Sequence, residues 1–232
     1  MTRTAIFACV DAREPHWQLG HLPPKTGRFA LIGWKEPGDA VEAGVPEAVA
    51  QVLARAFTAV ARVMFLADPA GLDGWTPLKG DAISTLASKG MASRFAAKLR
   101  GVPPEITLVS TRHPDTAMRL FDDAGFPWWQ QGQIVLLAGE EPSQRDSERE
   151  DLAAWDRETV LDLFGDDWTT RAVPLASRSI TGVVRPGVDG DVAGLLSLTE
   201  GFLHTALEAL ARQTRLAGFD WAVIPEKELA LR

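Results

Sequence analysis

Three clusters of polar residues in this 232-residue chain have types and spacing suited to chemistry. The first is Ser110-Thr111-Arg112-His113, followed at once by Pro114-Asp115. It lies between an apolar run ending at Ser110, which reads as a buried strand, and a short segment opened by Pro114, which reads as a helix. Amides exposed at a helix start, two hydroxyls, a guanidinium and an imidazole together suit a phosphate or a carboxylate. The plainer alternative makes Ser110 or Thr111 a cap and leaves Arg112 in water.

The second cluster, Asp11, Arg13 and His16, follows the first apolar run. An acid and an imidazole within hydrogen-bond reach can exchange a proton with a substrate. Against this stands a solvated, proline-rich loop. The candidate catalytic residues are therefore Asp11, His16 and His113, and the candidate ligand-binding residues are Ser110, Thr111, Arg112 and Arg13. The third cluster combines Arg178-Ser179 and Arg185 with Gly182, Gly187 and Gly190. Gly-rich turns can cradle phosphate, but the spacing matches neither the Walker-A pattern nor the dinucleotide fingerprint.

The aromatic residues point elsewhere. There are eight tryptophans and no tyrosine. Pro127-Trp128-Trp129-Gln130-Gln131 falls between a helix stop and a strand, which marks Trp128, Trp129 and Gln130 as a partner-binding loop. The other reading has both rings closing over the core. His204 falls on or beside the apolar stripe of the last long helix and reads as a core histidine. The four histidines show no metal-ligand spacing and there is one cysteine, so neither a metal site nor a cofactor is expected. No GxSxG elbow and no kinase motif set is present.

Composition narrows the classes. A net charge of −7 argues against coating duplex nucleic acid or an anionic membrane, because phosphate neutralisation needs a basic surface. Hydrophobic residues make up 46% of the chain, enough for a sizeable core without a disulfide. Cys9 alone cannot form an internal disulfide, and it reads as a small core residue. The run Ala5 to Val10 superficially resembles a lipoprotein signal, but it is short and Asp11 and Arg13 follow it, so it reads as a first strand. The expected setting is cytoplasmic. An absence of Asn, 18 Arg against 6 Lys, and abundant Ala and Gly fit a GC-rich bacterial genome.

The elements that must position these residues follow from periodicity and punctuation. Strands are expected at Thr4–Val10, Arg28–Trp34, Val63–Leu66, Ile106–Ser110, Gln133–Ala138 and Trp221–Ile224, with one or two more within Arg171–Val184. Helices are expected from Pro46 through Val60, over about Asp81–Arg100, from Pro114 to Ala124, and from Glu148 to Phe164 after a capping box at Ser147. A last amphipathic helix carries Val192, Leu195, Leu196, Leu203, Ala206, Leu207 and Leu210. The strand–helix–strand order over Ile106–Ala138 predicts a βαβ unit with parallel strands.

The expected fold is α/β: a layered fold with a mixed, mainly parallel sheet flanked by amphipathic helices. Residues 1–139 form its core, 140–151 an exposed charged linker, and 152–232 a helical and strand extension on the same core. Two functions fit. One is a non-catalytic accessory or regulatory protein that binds a protein partner, or itself, through Trp-rich loops. The other is an enzyme acting on a phosphorylated or carboxylated small molecule, with Asp11 and His16 converging on Thr111 and Arg112.

Overall fold

The computed structural model describes residues 4–12, 28–35, 47–67, 82–87, 105–121, 134–139, 180–186 and 192–231. In chain order the elements are β1 (Ala5–Val10), β2 (Phe29–Lys35), α1 (Glu47–Val60), β3 (Arg62–Ala67), β4 (Ala82–Ala87), β5 (Glu105–Thr111) and α2 (Pro114–Phe121). Then follow β6 (Ile134–Ala138), β7 (Ile180–Pro186), β8 (Val192–Ser197), α3 (Phe202–Leu216), β9 (Asp220–Val223) and a 3₁₀ turn over Glu226–Leu231. The nine strands form one sheet in the order β4-β5-β3-β6-β7-β8-β2-β1-β9.

The α/β class holds, but the sheet is mainly antiparallel. Among the described strands only β1 and β9 pair in parallel; every other neighbouring pair is antiparallel. The expected βαβ unit shows why. β5 and β6 do run in the same direction with α2 between them, but β3 is inserted between the two and pairs antiparallel with both. Element order along a chain fixes direction across a helical crossover. It does not fix which strand fills the gap.

A second unit follows the same course. The β4–β5 hairpin leads to α2 and β6, with β3 interposed; the β7–β8 hairpin leads to α3 and β9, with β2 and β1 interposed. Strands β7, β8 and β9 thus belong to the same sheet as β1–β6. Residues 140–151 and 148–164 lie outside the described residues.

Two further expectations are corrected. Residues 82–87 are strand β4 instead of the start of a helix. Ile83 and Leu86 sit three apart, a spacing that a six-residue strand with Ile, Ser and Thr also accommodates. Val192 to Ser197 is strand β8, so the last helix begins only at Phe202. Every residue of β8 is buried, and a run buried on both faces has no alternation to separate it from a buried helix.

The three helices form a layer on one face. Ile6, Ile32, Trp34, Val63, Val135, Leu137, Val184 and Leu195 of the sheet join Val52, Leu53 and Phe57 of α1 and Leu203, Ala206 and Leu210 of α3 in one core cluster. α1 lies against both α2 and α3, which is why its buried arc is broad, from Val49 to Phe57. The opposite face of the central strands is also buried, at Phe7, Phe29, Leu31, Leu136, Val183 and Leu196. Cys9 is buried there too, as a core residue. No described helix is long and apolar enough to cross a membrane.

Among the described residues, one core polar group is unsatisfied. Thr214 in α3 is fully buried and its hydroxyl has no hydrogen-bond partner. Replacing it with the isosteric valine removes a desolvated donor and leaves the packing intact. Thr214→Val is expected to raise unfolding stability by about 1 kcal/mol in urea titration.

Candidate functional site

Strands β1, β5, β6, β8 and β9 all end at one edge of the sheet, and β2, β3 and β7 begin there. α2 and α3 start at this same edge, with two and four residues between them and the strands they follow. α1 runs against them and delivers its carboxyl end to β3 through Ala61 alone.

Asp11 and the Ser110–Asp115 segment both lie at this edge but do not meet. Asp11 follows β1 with a left-handed φ of 53°, its amide donating to the Phe29 carbonyl at 2.8 Å. Thr111 ends β5. Five strands stand between β1 and β5, which at about 4.8 Å per strand separates the clusters by roughly 30 Å. A single pocket uniting Asp11 with Thr111 and Arg112 is therefore not formed.

The hydroxyls of the first cluster have hydrogen-bond partners within the chain. Thr111 is fully buried and its Oγ1 accepts the His113 amide at 2.9 Å. Ser110 Oγ accepts from Arg62 Nη1 at 3.3 Å. The His113 carbonyl accepts the Ala117 amide at 3.0 Å, the first bond of α2. Arg112 is exposed and His113 half-buried. Arg13, His16, Trp128, Trp129, Gln130, Arg178 and Ser179 lie outside the described residues. In the third cluster, Gly182 and Arg185 are buried positions of β7.

Among the described residues, a concavity lies at the start of α3. Val10, Arg28, Ser197, Thr199, Glu200, Gly201, Leu203, His204 and Leu207 line an open groove of about 460 Å³. The turn that carries it is pinned on both sides. The Ser197 amide donates to the Arg28 carbonyl at 2.7 Å, and the Leu198 amide donates to the Thr181 carbonyl at 2.8 Å. Ser197 Oγ donates to the Thr199 carbonyl at 2.7 Å. Thr181 is itself the extra residue of a bulge against β6, and its Oγ1 donates to the Leu137 carbonyl at 2.9 Å.

Gly201 then enters the helix with φ 79° and provides no side-chain cap. The first helical bond is from the Thr205 amide to the Gly201 carbonyl, 3.2 Å. The amides of Phe202, Leu203 and His204 in the first turn therefore have no acceptor within the helix, and this positive end opens beside the groove. Space around Gly201 is open, so a substitution there is strained only through its backbone. Gly201→Ala is expected to cost about 1 kcal/mol in thermal unfolding, and Gly201→Asn clearly less, because Asn tolerates the left-handed region.

The groove has an apolar floor and a charged rim. Val10, the last residue of β1, is 40% exposed after four buried residues, and Leu203 and Leu207 line the groove with it from α3. Arg28, Glu200 and His204 stand at the rim. His204 is not a core residue: its side chain is 78% exposed and its Nε2 lies 3.1 Å from Glu208 Oε1, a solvated pair that adds little to stability. Among the described residues no group of three acidic, histidine or cysteine side chains is arranged to hold a metal.

The groove leaves little mark on the sequence. Its one local signal is Ser197-Leu198-Thr199-Glu200-Gly201, a polar turn after a buried run and before an amphipathic helix. Arg28 and Val10 had no signal, since both are brought in by strand pairing across β2.

Fold and groove together define the class: an α/β protein with one mainly antiparallel sheet, a helix layer on one face, and an open groove where strand ends meet a helix start. No family model matches the chain, and neither a curated protein nor a solved structure does.

Proposed function

We propose that this is a non-catalytic accessory or regulatory protein and that the groove at the start of α3 receives a segment of a protein partner. The observation that carries the reading is the exposed Val10 facing Leu203 and Leu207 beneath a charged rim. An apolar centre with a polar surround is the anatomy of a contact that buries one side chain and orients it by charge. The chemistry that fits is an apolar side chain next to a carboxylate. The first meets the Val10–Leu207 floor; the second meets Arg28 and the positive end of α3.

The alternative, a small phosphorylated or carboxylated molecule, draws on the same Arg28 and helix amides but leaves the apolar floor unused. Its catalytic form loses support from the separation of Asp11 and Thr111.

The test compares immobilised wild type with Leu207→Asp, Arg28→Ala and Leu216→Asp. Leu216 is 70% exposed at the far end of the same helix and serves as the control. A partner identified by mass spectrometry and reconstituted from purified components is expected to bind at least about tenfold more weakly to the first two variants and unchanged to the third. Equal binding by all four proteins overturns the groove. Binding competed away by inorganic phosphate or acetate but indifferent to Leu207→Asp favours the small-molecule reading.

A further inference from the structure

β9 closes the sheet on one side, and its backbone alternates in a way the hydrogen bonds define. The Asp220 amide donates to the Thr4 carbonyl at 3.0 Å and the Ile224 amide to the Ala8 carbonyl at 2.8 Å. With the parallel register that pairs Phe7 with Ala222, the even-numbered residues face β1. Trp221 and Val223 therefore point their N–H and C=O groups away from the sheet, where no described strand pairs with them. Both side chains lie on the helix-bearing face, opposite Ile6 and Ala8. Val223 is 60% exposed, and Trp221 is only partly buried against the core.

We infer that this edge pairs with the same edge of a second copy, through a two-fold axis normal to the sheet at Ala222. The inference does not rest on the groove. A strand pairs with its own copy across a two-fold only in antiparallel sense, so Ala222 faces Ala222 of the second copy while each Trp221 faces the other copy's Val223. The two outward residues of each strand then exchange N–H and C=O bonds. The centre is a non-hydrogen-bonded pair, where backbones come closest, about 4.5 Å between Cα atoms. Alanine is small enough for that position. The flanking pairs are aromatic against β-branched, a favoured cross-strand combination that covers the exposed Val223.

The next outward position is Pro225, which has no amide. The ladder therefore stops there, and the product is a short, discrete two-fold contact. A strand from an unrelated protein would gain the backbone bonds but would not be selected by the Trp221–Val223 match.

Two measurements decide it. In sedimentation velocity over a wide concentration range, the wild-type chain is expected to move from monomer to dimer. Val223→Lys, a change at an exposed side chain, is expected to weaken dimerisation about tenfold or more with the melting temperature preserved. In mild oxidation, Ala222→Cys is expected to give a disulfide-linked dimer, because a separation of about 4.5 Å falls within the range a disulfide spans. Asp220→Cys is expected not to, since the same pairing places its two copies far apart; native Cys9 is buried and serves both variants as background. A monomer at every concentration overturns the inference, as does a dimer indifferent to Val223→Lys or equal cross-linking from positions 220 and 222.

Discussion

Phe57→Ala is expected to destabilise the protein by about 3–5 kcal/mol, the largest effect of any single truncation we anticipate. Phe57 is among the largest fully buried side chains and sits near the carboxyl end of α1. α1 is the middle helix of the layer, in contact with α2 on one side and α3 on the other, so the void left by the ring is bordered by helices that cannot all close on it at once. The lost transfer energy and the residual cavity then add. A domain is stable by about 5–15 kcal/mol, so the substitution consumes a large share of the total. Urea unfolding checks it: the midpoint is expected to fall sharply with an unchanged slope, and a loss below about 1 kcal/mol would refute the central role given to α1.

The second large effect is expected at Gly182. A Cβ built there meets Phe202 Cε1 at 2.5 Å and the Leu196 carbonyl oxygen at 3.3 Å. Phe202 is the first residue of α3 and is buried, so its ring seats the start of the helix on β7 through the space that glycine leaves. Gly182→Ala is expected to cost about 1–3 kcal/mol by overpacking. It is also expected to shift the start of α3, and with it Leu203, His204 and the groove.

A double-mutant cycle isolates the contact. Phe202→Leu alone is expected to cost about 1 kcal/mol, yet Gly182→Ala combined with Phe202→Leu is expected to be more stable than Gly182→Ala by itself. Purely additive losses would show that the clash is relieved elsewhere. Gly33 stands in the same relation to Phe7, whose ring lies over the place a Cβ at Gly33 would take, so ring-over-glycine contacts recur on both faces of the sheet.

Much of the secondary structure was legible in the residues. Thr4–Val10 and Arg28–Trp34 read as strands because β-branched and aromatic residues run unbroken between polar stops, and the structure places β1 and β2 there. The Pro46–Val60 periodicity became α1 at 47–60, and Pro114 opens α2 as its missing amide allows. The reading failed where both faces of a strand are buried. Val192–Ser197 has apolar residues at positions that fit a helix as well as a strand, and only the pairing of Leu195 with Ala30 and with Val184 settles it.

The sequence by itself determined the α/β class of the protein, the buried nature of Cys9, the starts of α1 and α2, and the clustering of polar residues just beyond strand ends. These depend on interactions within a few residues, which composition and spacing record. The tertiary structure alone decided which strands are neighbours, and that decided the site. Insertion of β3 between β5 and β6 made the sheet mainly antiparallel. Five intervening strands parted Asp11 from Thr111. The pairing of β8 with β2 brought Arg28 beside Ser197 and, through β1, Val10 beneath Leu207. Contacts between segments nearly two hundred residues apart in the chain leave no local periodicity, so neither the groove nor the open edge of β9 could be read before the chain was folded.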